Sequence, residues 1–194
     1  DKKEISCLVN PRACNETNLN YLPTSNKKTI AVIGAGPAGL AFSEIAALRG
    51  HHVELFEASD QIGGQFNLAK QIPGKEEFHE TIRYFSTMLK KNGVKVYLNK
   101  KVQPIDLIDK KYDDVVVSTG VHPRSLDIPG SDEKIVISYI DAIRNIDKIG
   151  KKVVLIGAGG IGFDMAELLS HGKKSPSTNI DDFAEQWGID FTNH

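Results

Sequence analysis

Cysteine is scarce in this chain of 194 residues, with only Cys7 and Cys14, both in the stretch CLVNPRAC. Their separation matches neither a zinc knuckle nor the CxxC of a dithiol redox site, and two reduced thiols are the plain reading. An excess of charge is also lacking. Lysine and arginine number 24 against 25 acidic residues, a formal net charge of −1, which gives no electrostatic case for nucleic acid or an anionic membrane as partner. Long apolar runs are missing too. The longest are broken by glycine, well short of the roughly 18 residues a membrane helix needs. The opening DKKEISC has no apolar core of a signal peptide, so a cytoplasmic location is expected. No initiator methionine is present either, and the chain is expected to be cut from something longer.

What is present is an ordinary globular mixture, 40% hydrophobic and 25% charged, enough to build a sizeable core. Residues 1–26 are rich in Asn, Pro, Thr and Ser without apolar periodicity and read as a linker or wrapping segment. From Lys27 the pattern changes. KTIAVIG is a β-branched apolar run of the kind that forms a buried parallel strand. Pro37 sits where a first helical turn tolerates it, AGLAFSEIAALRG follows as a helix closed by Gly50, and HHVELFE is the next strand. This is a βαβ unit.

Further along, Phe78, Ile82, Phe85 and Leu89 fall on one face of a predicted helix, with Glu76 and Glu77 at its start and Lys90, Lys91 and Gly93 at its end. VKVYLNKKV (94–102) alternates as a strand, and YDDVVVSTG reads as a second buried strand with a glycine exit. VHPRSLDIPG marks a domain crossing. Then come a short helix in SYIDAIRNI, a strand in KKVVLIG, a helix in GIGFDMAELLSHG and one further helix at 179–187. His51, His52, His79 and His122 have no partner at a ligand spacing and read as surface or loop residues.

Two stretches carry chemistry. AVIGAGPAG (31–39) and VLIGAGGIG (154–162) share the spacing G-x-G-x-x-G, 123 positions apart. A strand delivering the chain to a helix N-terminus leaves unpaired N–H groups that attract a pyrophosphate. Gly34 allows the tight turn, Gly36 the close approach of the ligand, and Gly39 the packing of helix on strand, with Pro37 and Ala38 opening the helix. Glu57 lies 18 residues past Gly39, where a carboxylate accepts from ribose hydroxyls and repels a 2′-phosphate. The first site is therefore expected to take FAD or NAD rather than NADP. Gly157, Gly159 and Gly162 repeat the device, but the partner on the next strand is expected beyond His194, so their nucleotide preference is unreadable. Two such motifs point to a two-dinucleotide flavoprotein. The fold class is α/β, a Rossmann-like FAD/NAD(P)-binding fold with a parallel central sheet, expected to be truncated at the second nucleotide-binding domain. Residues 27–120 would form the first part of an FAD domain and 121–194 the start of an NAD(P)H domain. The absence of a CxxC near residues 60–80 argues against a disulfide enzyme of the glutathione reductase type.

With GAGPAGL, LFEASDQIGGQFNLAKQIPGKEEF, STGVHPR, SCLVNPRAC, IGFDMAELL and WGID in place, the chain resembles the bacterial NADPH-dependent 2,4-dienoyl-CoA reductases, and more broadly the trimethylamine dehydrogenase and enoate reductase group. The resemblance covers essentially the whole chain, and the run IGGQFNLAKQIPGKEEF is far more specific than a glycine motif. It implies an electron relay in which NADPH reduces FAD, and electrons pass through a 4Fe–4S cluster to FMN in a separate barrel that reduces the acyl-CoA. That barrel is expected upstream, so acyl-CoA is expected as a partner only through it. It implies Cys7 as the fourth cluster ligand, and Gly63, Gly64 and Gln65 as the loop along the FAD ribose and pyrophosphate. Val102, ending its strand, would contact the adenine through backbone groups, and Thr119 and Gly120 would pass near the nucleotide. A related enoate reductase or amine dehydrogenase, and a non-catalytic dinucleotide-binding module, are the rival readings.

Overall fold

The computed structural model describes residues 5–124, 126–171 and 175–192. The charged opening DKKE and the glycine end of the helix at 160–172, both read above, lie outside them. The described residues divide into two units: those within Asp1–Phe66 and Glu80–Val121, and those within Asn67–His79 and His122–His194.

The first unit is built on four parallel strands, β1 (Thr29–Ile33), β2 (His52–Phe56), β3 (Lys95–Tyr97) and β4 (Asp114–Val117), in the order β3-β2-β1-β4. Ile30 sits opposite both Val53 and Asp114, and Val32 opposite both Leu55 and Val116. That order is the first part of a doubly wound nucleotide fold. Helix α1 (Pro37–Leu48) begins at proline and ends before Gly50, whose φ of +100° reverses the chain. Helix α2 (Phe66–Ala69) opens the run Asn67–His79 that belongs to the second unit, whereas α3 (Glu77–Lys91) belongs to this one from Glu80 onward. One face of the sheet carries the core. Ile30, Val32, Val53 and Leu55 alternate inward against Leu40 and Ala46 of α1 and Phe85 and Leu89 of α3. On the other face, Phe56 stacks on Tyr97 at 5.0 Å between ring centres, and the Tyr112 hydroxyl donates to Glu54.

In this first unit three expectations need correction. The strand expected over 94–102 is Lys95–Tyr97 alone; the chain then turns at Asn99 (φ +55°) into helix α4 (Pro104–Ile108). Gln103 and Asp106 cap that helix reciprocally, so Val102 precedes a helix rather than ending a strand. The strand expected to be buried in YDDVVVSTG forms at Asp114–Val117 and is buried on one face only: Val116 packs against the core, while Val115 and Val117, alternating to the opposite face, stand 43% and 73% exposed.

In the second unit, α5 (Tyr139–Arg144), α6 (Gly160–His171) and α7 (Ile180–Trp187) form as expected. Ser138 caps α5, and Asn179 caps α7 by accepting from the N–H groups of Asp181 and Asp182. Its core joins Ala142, Met165 and Leu168 with Ile72, which is 3% exposed. Lys75 reaches both carboxylate oxygens of Asp164 at 2.7 and 2.6 Å, and the Ser177 hydroxyl donates to Glu76 at 2.8 Å. KKVVLIG is not a strand here. A strand needs a ladder partner, none pairs with it among the described residues, and Val154 and Ile156 stand 86% and 65% exposed.

Candidate functional site

The chain leaves β1 at Gly34 with φ +104°, a left-handed conformation that glycine adopts freely. A Cβ there would stand 2.4 Å from the Ser118 carbonyl oxygen. At Gly39 it would stand 1.9 Å from the Gly34 oxygen and 2.7 Å from the Ser118 hydroxyl. Both glycines are thus demanded by the protein's own packing. Gly36 is different: a Cβ on it would meet nothing within 4 Å. It caps α1 without a side-chain hydrogen bond, Pro37 follows, and the first turn through Ala38 and Gly39 holds no acidic residue. Open space over an uncapped helix N-terminus suits a pyrophosphate.

Glu57 follows the end of β2, and its carboxylate reaches back to this turn. Oε2 accepts from the Ala35 N–H at 2.8 Å, while Oε1 accepts from the Ser59 N–H at 2.8 Å and the Ser59 hydroxyl at 2.9 Å. Burial works to raise its pKa, but the hydrogen bonds from Ser59 and Ala35 outweigh burial and hold the carboxyl below its ordinary value. The group is an ionised acceptor at neutral pH, already tied to the turn it was expected to serve.

The loop after β2 closes over the same place. The buried Gly63 donates its N–H to the Ala35 carbonyl at 2.8 Å, and Gly64 has φ +52°. A Cβ on Gly64 would lie 2.8 Å from the Cα of Gly36, so two glycine backbones meet. Gln65 donates through Nε2 to the Val121 carbonyl at 3.2 Å. Thr119 and Gly120 follow β4 and are exposed, and Val102 is half-buried. Ser118, which was not anticipated, is central: its hydroxyl lies 3.0 Å from the Ile33 carbonyl and 2.9 Å from that of Gly34. The only sequence signal was its place at the end of a glycine-exit strand. These residues fit the adenosine diphosphate part of FAD: a space a Cβ would fill, an uncapped helix and an ionised carboxylate.

The second turn repeats the build. Gly157 has φ +114°, a Cβ on Gly162 would lie 2.2 Å from the Gly157 oxygen, and one on Gly159 would meet nothing within 4 Å. Helix α6 starts directly after it. Cys7 and Cys14 are exposed and free. No group of three or more His, Cys, Asp or Glu among the described residues could hold a metal ion, so these residues do not by themselves make an iron–sulfur site. His51 serves the fold, its Nδ1 accepting from the Lys28 N–H at 3.1 Å.

Fold and turns together define a dinucleotide-binding α/β protein. Residues 28–181 match the family described as pyridine nucleotide-disulphide oxidoreductase, and the chain belongs to that family. It is 38% identical over 172 residues to a metal reductase of Desulforamulus reducens and 30% identical over 175 residues to a cinnamate reductase of Clostridium sporogenes, covering 87% and 88% of this chain. It spans 26% and 25% of those proteins, about a quarter of each. A 2-naphthoyl-CoA reductase structure superposes with a TM-score of 0.80 at 34% identity, covering 94% of this chain and 30% of that one. The chain thus carries an FAD/NAD(P)-binding domain of this family, similar to the corresponding portion of these reductases. Although the family name includes disulphide enzymes, residues 60–80 hold no cysteine. No helix among the described residues is long and apolar enough to cross a membrane.

Proposed function

We propose that this chain is the FAD- and NADPH-binding region of a flavin and iron–sulfur oxidoreductase resembling NADPH-dependent 2,4-dienoyl-CoA reductase. Residues 27–120 hold the adenosine half of FAD, and 121–194 begin the NADPH-binding domain. One observation carries the reading. Two glycine turns of the same build, Gly34 to Gly39 and Gly157 to Gly162, stand in one chain, and a protein that binds a single dinucleotide needs one. Bound FAD supplies the exchange between a two-electron donor and one-electron acceptors. The chain's own residues bind and orient. Gly36 leaves the pyrophosphate room, the α1 N-terminus offers N–H groups, Glu57 accepts from the ribose, and Gly64 and Gln65 lie along the nucleotide with Thr119, Gly120 and the Val102 backbone.

In the whole protein, electrons leave toward a 4Fe–4S cluster, with Cys7 as one ligand, and then FMN in a separate barrel that holds the unsaturated acyl-CoA. The names of two relatives, a cinnamate reductase and a 2-naphthoyl-CoA reductase, favour an unsaturated acid or its CoA ester over an amine as the final acceptor.

Calorimetric titration of the chain with FAD, and separately with ADP, tests the reading. The expected result is saturable ADP binding, weakened about tenfold or more by Glu57→Ala, the scale of a lost charged hydrogen bond. Absence of binding by a chain whose circular dichroism shows it folded would overturn it.

A further inference from the structure

We infer that Ser59 is a positioning residue for the first nucleotide site: it aims the Glu57 carboxylate at the adenosine ribose, and so sets how strongly the site distinguishes a ribose from a deoxyribose. The inference rests on the FAD reading of the Gly34–Gly39 turn.

A carboxylate offers about four acceptor positions, two on each oxygen. In Glu57 three close donors of the protein meet the carboxylate, and the Ala58 N–H contributes as well. Ser59 meets Oε1 through its N–H at 2.8 Å and its hydroxyl, shared with a second acceptor, at 2.9 Å, and the Ala35 N–H donates to Oε2 at 2.8 Å. The open direction is on Oε2, whose one close hydrogen bond is to the residue between Gly34 and Gly36. The three close donors come from two separate places, the first βα turn and the loop after β2. Two-point anchoring of this kind removes the rotation about the last side-chain bond that a carboxylate at a strand end would otherwise keep. The open direction on Oε2 is therefore set before any nucleotide arrives, and a sugar hydroxyl that meets it does not have to order the side chain first.

The Ser59 hydroxyl has a second neighbour, the Gln61 carbonyl at 2.8 Å. A hydroxyl has one proton, so Ser59 shares it between the carboxylate and the segment leading into Gly63 and Gly64. Gly63 in turn donates to the Ala35 carbonyl at 2.8 Å. Ser59, Glu57, Ala35 and Gly63 thus form a closed circuit in which the residue expected to read the sugar and the loop expected to follow the pyrophosphate are held by the same side chain. A serine that merely shapes the turn after β2 would need its N–H on Glu57 but no hydroxyl there.

The test is a pair of affinities, for ADP and for 2′-deoxy-ADP, measured by calorimetry on the whole chain. It is run with the unsubstituted protein, Ser59→Ala, Ser59→Thr and Glu57→Gln, each first shown to be folded by circular dichroism. The unsubstituted protein is expected to prefer ADP. In Ser59→Ala that preference should shrink roughly three- to tenfold, the scale of one hydrogen bond, and Ser59→Thr should restore it. A purely structural serine would weaken both ligands alike and leave their ratio unchanged. An unchanged ratio in Ser59→Ala, with a collapsed ratio in Glu57→Gln, overturns the role of Ser59 and leaves the FAD reading standing. A ratio that Glu57→Gln leaves unchanged removes Glu57 from the ribose, and Ser59 with it. Binding of neither nucleotide by the folded, unsubstituted chain overturns the reading on which both depend.

Discussion

The Tyr84 hydroxyl on α3 donates to the Glu44 carboxylate on α1 at 2.5 Å, and Glu44 is only 7% exposed. This bond joins two helices across the core of the first unit and is the partner that makes a buried acid tolerable there. The hydrogen bond to Glu44 first, then burial and the carboxylate charge, push the tyrosine from its ordinary 10.0 up to about 12. Because the folded value is the higher one, this stabilisation is fully present below pH 10 and is lost as pH rises through about 12. Spectrophotometric titration should show two late-ionising tyrosines in the unsubstituted chain, Tyr84 and Tyr112, the latter pushed up by burial and its bond to Glu54, and only one in Tyr84→Phe. Tyr84→Phe should also lose roughly 1–3 kcal/mol in urea unfolding, since it leaves Glu44 buried without its donor.

Gly36 and Gly39 should separate binding from folding. Gly39→Ala places a methyl 1.9 Å from the Gly34 oxygen, so backbone must move, at a cost of about 3 kcal/mol or more. Gly36→Ala meets nothing within 4 Å and has ordinary extended backbone, φ −75°; its stability should change by less than about 1 kcal/mol. Its methyl instead occupies the ligand's approach, and ADP affinity should fall about tenfold or more. Thermal unfolding and calorimetry on the two variants decide this. Equal loss of stability in both would contradict the geometry.

Acid should find Glu57. Its carboxyl is held below the ordinary 4.5 by donors that outweigh burial, so its contribution is complete above pH 4.5 and disappears as pH falls through the lower folded value. Glu57→Gln should therefore flatten the stability profile in that acid range, read by urea midpoints at successive pH values, while the profile near neutrality keeps its slope.

Ile72→Ala should loosen the second unit. The side chain is 3% exposed among Ala142, Met165 and Leu168, and such truncations cost roughly 2–5 kcal/mol. Hydrogen exchange should speed at the amides of α5 and α6 and stay slow in β1. Faster exchange in β1 with α6 unchanged would place Ile72 in the wrong core.

The apolar runs made β1, α1 and β2 legible, because a buried parallel strand and the helix after it declare themselves locally in KTIAVIG and its glycines. Gly34, Gly39 and Glu57 were legible for the same reason: their spacing is itself the geometry. What escaped depends on contacts distant in sequence. Ser118 meets Gly34 only because β4 pairs beside β1, and nothing near Ser118 beyond its place at the end of a glycine-exit strand announces it. Helix α4 was hidden because Gln103 is an unusual cap and the helix is only five residues long. KKVVLIG has every strand preference, yet strand preference is a readiness to pair, and pairing is decided elsewhere.

The run Asn67–His79 lies between pieces of the first unit but folds with the second, sealed by Ile72, Lys75 and Glu76. No single cut therefore yields two self-sufficient halves. A polypeptide ending at Val121 would still carry Ile72 while lacking Ala142, Met165 and Leu168 that cover it. The piece beginning at His122 would have a vacant notch where Ile72 belongs. Anyone dividing this protein for separate expression must splice at three places along the chain rather than one, or supply the excised run back as a peptide.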